Sequence, residues 1–124
     1  MEGFHSTVPA DFAVLGDLRR VLTTWLEEVG VADPPRGDVV LATHEATANA
    51  IEHSGSTEPV DVRARIAGRR LTVEISDTGR WKAANSEDNE RGRGLKLIAG
   101  LVSEVDLHTD KGGTTVRLLQ LRAH

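Results

Sequence analysis

Residues 60 to 76 exclude more folds than any other stretch of this chain. Val60, Val62, Ala64 and Ile66 alternate with Asp61, Arg63 and Arg65, and Leu71, Val73 and Ile75 alternate with Thr72, Glu74 and Ser76. A period of two gives each segment one apolar face, as in half-buried strands. Ala67-Gly68-Arg69 between them is too short for a crossover helix, so the pair is an antiparallel hairpin. A second hairpin is predicted near the end of the chain. Val105 and Leu107 mark its first strand, Thr114 to Leu121 its second, and Asp110-Lys111-Gly112-Gly113 its turn. Residues 3 to 8 alternate weakly before Pro9 and suggest a short leading strand.

Helical patterning fills the gaps. Val14, Leu15, Leu18, Val21, Leu22, Trp25, Leu26 and Val29 follow the i, i+3, i+4, i+7 spacing, predicting a helix over 11 to 29 with Gly30 as its stop. On its other side, Arg19 and Arg20 are simplest to read as part of a solvated face. A second helix starts after Val31-Ala32-Asp33-Pro34-Pro35, capped by Asp33 with Pro34 first, or by Asp38. It ends near His53-Ser54-Gly55, before a polar loop over 54 to 59. A short helix is expected from Leu95 to about Val102. The order strand, helix, helix, hairpin, loop, helix, hairpin predicts a two-layer α/β sandwich. Its sheet should be mixed, mostly antiparallel, with the helices on one face. Rossmann-type alternation is excluded because no helix separates the hairpin strands.

With 124 residues, one domain over 1–124 is expected. The absence of cysteine leaves no disulfide framework or thiolate metal site and fits a reducing cytoplasm. The start carries no signal pattern, and no apolar run reaches membrane-spanning length. A net charge of −4 argues against a nucleic-acid scaffold, and two Phe, two Trp and no Tyr argue against base stacking. His5, His44, His53, His108 and His124 show no zinc-type spacing.

Chemistry concentrates in three segments. Glu45, Asn49 and His53 recur every four residues and form one drifting polar stripe on the second helix, with Val40, Thr47, Ala50 and Ile51 opposite. A carboxylate can act as base, an amide oxygen is a hard ligand for Mg²⁺, and an imidazole can reach phosphate. On its own the stripe is more simply read as a solvated helix face. Asp77 closes a buried strand, where it could accept from an exocyclic amino group, and Gly79 would let a flat ring approach the backbone. Alone, Asp77-Thr78-Gly79 is an ordinary turn. Gly92-Arg93-Gly94-Leu95 puts two glycines where a polar loop becomes a helix, a place suited in principle to phosphate. No Lys-Ser/Thr pair follows, so it is not a P-loop.

Taken together, Glu45-x-x-x-Asn49-x-x-x-His53, Asp77-x-Gly79, Gly92-x-Gly94-Leu95 and Gly113-Thr114-Thr115 resemble the N, G1 and G2 boxes and the closing Gly-Thr motif of the GHKL (Bergerat-fold) ATPase superfamily. Within it, the small size, the helix at 11 to 29 and the Glu-Ala-x-x-Asn-Ala-x-x-His pattern resemble the bacterial anti-sigma-factor serine kinases. The resemblance implies ATP and Mg²⁺ as cofactors. It makes Glu45 the general base toward a substrate serine, Asn49 the Mg²⁺ ligand and His53 a neighbour of the phosphates. Asp77 would bind the adenine amino group, Gly79 would floor the base pocket, and Gly92, Gly94 and Leu95 would wrap phosphates. Residues 82 to 93 would form the ATP lid, disordered without nucleotide, and Thr115 would sit beside the adenine. Trp81 departs from the pattern, standing where a second G1 glycine is commonest, and leaves the pocket's shape open.

The implied partners are a sigma factor and an anti-anti-sigma protein of the STAS type, met in the cytoplasm. Two other readings use the same residues: an ATP-binding regulatory module without kinase turnover, and the ATPase domain of a sensor histidine kinase. The length and the lack of phospho-acceptor helices disfavour the latter. The resemblance is compatible with a homodimer built on the leading strand and helix 11 to 29, or with a monomer.

Overall fold

The computed structural model describes residues 2–53, 57–78 and 96–121. The elements are β1 (Glu2–Val8), a 3-10 turn (Phe12–Val14), α1 (Leu15–Glu28), α2 (Pro35–His53), β2 (Val60–Ala67), β3 (Arg70–Asp77), β4 (Glu104–Asp110) and β5 (Gly113–Leu121). A further helix, α3, covers residues 96–101. The strands form one sheet in the order β1-β2-β3-β5-β4. The mostly antiparallel sheet expected from the two hairpins is found, and all four of its pairings are antiparallel.

Alternation sets the two faces of this sheet. Val62 pairs with Ile75, Ala64 with Val73, and Ile66 with Leu71, and the register continues through Val73↔Leu118 and Ile75↔Val116. All of these residues are buried, and they share the face that the helices cover. From α1, Leu15, Leu18, Leu22 and Leu26 enter this core at i, i+3, i+7 and i+11 spacing. From α2 come Val39, Ala42, Ala46 and Ala50. These small side chains let the α2 backbone lie close over β2, β3 and β5, which it contacts. Phe4 of β1 meets Trp25 of α1 with ring centroids 5.7 Å apart, closing the core on the β1 side.

The helix ends follow local chemistry. The Asp11 carboxylate accepts from Ala13 N at 2.9 Å and starts the 3-10 turn that leads into α1. At the other end Gly30 takes φ 85°, while Gly30 N donates to Glu27 O and Val31 N to Leu26 O. That pairing needs a left-handed residue, which glycine supplies without strain. Asp33 accepts from Gly37 N at 2.9 Å, and the helix starts at Pro35, one residue later than a Pro34 start would give. The Arg36 guanidinium then ties Val31 O to Asp33, fixing the short connection between the two helices.

The opposite face of the sheet carries no helix among the described residues. Its outward side chains include Arg63, Arg65, Thr72, Glu74, Ser76, Thr115, Arg117 and Asp106.

Candidate functional site

The stripe on α2 turns from solvent toward the interior as it advances. Glu45 is half-buried, Asn49 is only 8% exposed, and His53 is half-buried with Nε2 3.9 Å from Glu52 Oε1. The 3.6-residue turn causes this drift: steps of four advance about 40° around the axis each time. Glu45 therefore faces the rim while Asn49 faces the sheet. Opposite them Thr47 and Ala50 are buried, and Val40 and Ile51 are half-buried.

Asp77 closes β3 on the helix-covered face and is 6% exposed, two residues beyond buried Ile75. Residues 54–59 link the end of α2 to Val60, which opens β2 at the same end of the sheet as Asp77. Asp77 thus lies at the end of the sheet to which the C-terminal end of α2 is linked.

Across from Asp77 lies Thr114, its partner in register, 1% exposed. The Thr114 hydroxyl is 3.4 Å from that of Thr109 on β4. Thr115 does not join them. A strand alternates its side chains, so Thr115 points to the open face, where its hydroxyl is 3.0 Å from Ser76 Oγ. The residue beside Asp77 is therefore Thr114, while Thr115, the residue expected beside the adenine, lies on the other face of the sheet.

Gly113 brings these strands together. It has φ 135°, and a Cβ placed there would lie 1.9 Å from Asp77 O and 2.8 Å from Thr78 Cα. Only a residue without a side chain allows this approach. Gly79, Trp81, Gly92, Gly94, Leu95 and the segment 82 to 93 lie outside the described residues.

The Asn49 amide bears on what the site could hold. Its Nδ2 is buried and has no hydrogen-bond partner among the described residues. A buried amide in a purely structural role is normally satisfied, so an unmet one marks a place for a ligand. An amide here fits a polyphosphate with its cation: the nitrogen can donate to phosphate and the oxygen can hold Mg²⁺. Among the described residues no group of three or more His, Asp or Glu could enclose a metal ion.

Two neighbours of Glu45 were not singled out from the sequence. His44 accepts at Nδ1 from Arg19 of α1, 2.8 Å away. Its pKa lies below the usual 6.5 because burial and then the Arg19 charge disfavour the imidazolium, with Glu45 opposing them. A neutral imidazole is the form that can accept from an arginine. Leu41, one turn before Glu45, is 42% exposed, an apolar side chain at the solvent rim of the site. Its signal was an apolar residue in line with a polar stripe.

Comparison with known proteins identifies the family and the fold. The histidine kinase-like ATPase domain family matches residues 8–119. The structure of the RsbU and RsbW domains of Rv1364c from Mycobacterium tuberculosis is similar over 100% of this chain, with 27% identity and a TM-score of 0.83. This chain spans 33% of that longer one. The histidine kinase domain of the EL346 blue-light activated histidine kinase from Erythrobacter litoralis aligns over 92% of this chain and 61% of its own, with 22% identity and a TM-score of 0.62. The SiaB–SiaC complex from Pseudomonas aeruginosa aligns over 94% of this chain and 88% of its own, with 16% identity and a TM-score of 0.64. The last two share the fold.

Proposed function

Since the chain belongs to the histidine kinase-like ATPase domain family, we propose that it binds Mg-ATP between α2 and the β3–β5 end of the sheet and phosphorylates a serine on a STAS-type anti-anti-sigma protein. In the same reading it also holds a sigma factor and works in the cytoplasm. No helix among the described residues is long and apolar enough to cross a membrane. The similarity to the RsbW-containing chain supports the choice of partners.

One observation carries the reading: Asp77 and Asn49 are both nine-tenths buried, and Asn49 Nδ2 has no hydrogen-bond partner among the described residues. The Asp77 carboxylate accepts from the adenine amino group, a hydrogen bond strengthened by its sheltered position. Thr114, rather than Thr115, stands beside the base. Asn49 contributes its amide oxygen to the Mg²⁺ that accompanies the triphosphate. That ion neutralises charge on the phosphates and fixes their orientation.

Glu45 is one helical turn nearer the rim, so a carboxylate meets the incoming protein where the nucleotide's far end would emerge. It takes the proton from the serine hydroxyl as the serine oxygen bonds to the γ-phosphorus and the bond to ADP breaks. Leu41 offers the acceptor protein an apolar contact beside the base. Neutral His44 leaves the carboxylate without a cationic imidazole next to it in sequence.

Replacing Glu45→Gln tests the base. Mg-ATP affinity should persist while transfer to a STAS-domain serine falls at least about 100-fold, the usual scale for a general base. Undiminished transfer would remove Glu45 from that role. ATP binding by the unmodified chain without transfer to any STAS protein would leave a nucleotide-binding module.

A further inference from the structure

We propose that β4 is a docking edge, to which an extended segment of a partner protein adds as a further strand. That segment carries arginine or lysine at alternate positions with aliphatic residues between them. β4 stands last in the sheet order and, among the described residues, pairs with β5 alone. A last strand leaves one row of backbone N–H and C=O groups facing outward, a template for another strand. The register from Glu104↔Leu119 to Asp110↔Gly113 runs without a break, so no bulge turns this edge away. The strand contains no proline or glycine either. Its seven residues, at about 3.4 Å each, offer about 24 Å of regular edge.

The two sides of this edge suit different side chains. Val105 and Leu107 lean toward the core but stay half-buried, whereas their register partners Leu118 and Val116 are each 1% exposed. The helices explain the difference, since α2 lies over β2, β3 and β5 and α1 over β1. Aliphatic residues on an added strand would sit beside Val105 and Leu107 and complete their burial.

The other side is acidic. Glu104, Asp106 and Asp110 alternate along it, and His108 is paired with Asp110 at 3.3 Å. Arg117 is the one cation opposite β4 in register and faces Asp106, but its guanidinium is bound to Glu74 of β3 at 2.8 Å. The Glu104 and Asp106 carboxylates therefore form no ion pair among the described residues. Cationic side chains on an added strand would stand about 5 Å across from them and pair with them. Backbone hydrogen bonds accept any sequence; the charges choose which one is taken.

The same pattern decides against other occupants. Nucleic acid and anionic membranes are repelled by it. Antiparallel pairing of two β4 strands would set acid against acid, Glu104 on Asp110 or Asp106 on Asp106. β1, at the other end of the sheet, has Phe4 packed on Trp25 and carries no lysine or arginine to offer.

A blocked peptide, Arg-Val-Arg-Val-Arg-Val-Arg, tests the edge against the whole chain in about 100 mM salt, by heteronuclear NMR and amide hydrogen exchange. The sequence reads alike in both directions, so it fits parallel or antiparallel addition. It should half-saturate the chain below about 1 mM and protect amides of β4 while leaving those of β1 unchanged. The same residues in blocks, Val-Val-Val-Arg-Arg-Arg-Arg, cannot put charge on one side and aliphatic groups on the other, and should bind at least about tenfold more weakly. Combining Glu104→Lys with Asp106→Lys should weaken the alternating peptide at least about tenfold and admit Glu-Val-Glu-Val-Glu-Val-Glu in its place. These two acids have no ion pair to lose, and circular dichroism checks that the variant folds. Equal binding of the block peptide, no protection along β4, protection along β1 instead, or indifference to the reversal would overturn the proposal. None of these readouts depends on the nucleotide site.

Discussion

Replacing Gly113→Ala should damage both stability and nucleotide binding, and the geometry gives the scale. The added Cβ would sit 1.9 Å from Asp77 O, 2.8 Å from Thr78 Cα and 2.9 Å from Asp77 C. All three are backbone atoms, so no rotamer change relieves them. Even a tight contact of 3.0 Å requires the two strands to part by about 1 Å. The φ of 135° adds strain of about 1 to 3 kcal/mol for an L-residue. Weakening the terminal pairing adjoining Asp77 and Thr114 adds about 1 kcal/mol for each hydrogen bond lost. The sum is roughly 3 to 5 kcal/mol, or about 10 to 20 °C in Tm for a chain of this length. Because Asp77 itself must move, Mg-ATP affinity should fall at least about tenfold in the folded fraction. Urea denaturation and calorimetric titration read the two effects. Gly112→Ala is the control, since its Cβ meets only the Asp110 side chain at 3.3 Å. If Gly113→Ala stays within about 1 kcal/mol of the parent and binds nucleotide equally well, the close-approach reasoning fails.

Two further outcomes follow from single side chains. Thr43 is fully buried and its hydroxyl has no partner among the described residues, so Thr43→Val should stabilise the fold by about 1 kcal/mol; a loss of that size in urea titration would contradict it. His44 binds a proton less tightly when folded than when unfolded, so its contribution is complete above the ordinary 6.5 and is lost as pH falls through the lowered value. Thermal scans from about pH 8 to pH 5 should show the parent losing more stability than His44→Gln, and parallel curves would exclude the Arg19–His44 pair as the cause.

Strict alternation made the hairpin over 60 to 76 legible, because a one-residue slip would expose every apolar side chain in it. The two helices were legible for the corresponding reason at a period of 3.6, and so was the motif order that points to an ATPase. Thr114 and Thr115 were not separable. They are chemically identical, and the approach of Gly113 to Asp77, which decides which of them faces the helices, is a contact between distant segments. Burial of Asn49 was equally hidden, since an asparagine in a polar stripe looks solvated until the sheet is placed beneath it. That β5 inserts between β3 and β4 cannot be read from either hairpin alone.

That insertion has a consequence for how the chain reaches its native state. The β3–β5 seam joins segments from opposite ends of a long excursion, so it pays its loop-closure entropy late, after both hairpins can form locally. Asp77 and Thr114 flank this seam. A nucleotide seated there would fasten the last join to form, and its presence during refolding would act as a latch on the finished topology rather than a guide toward it.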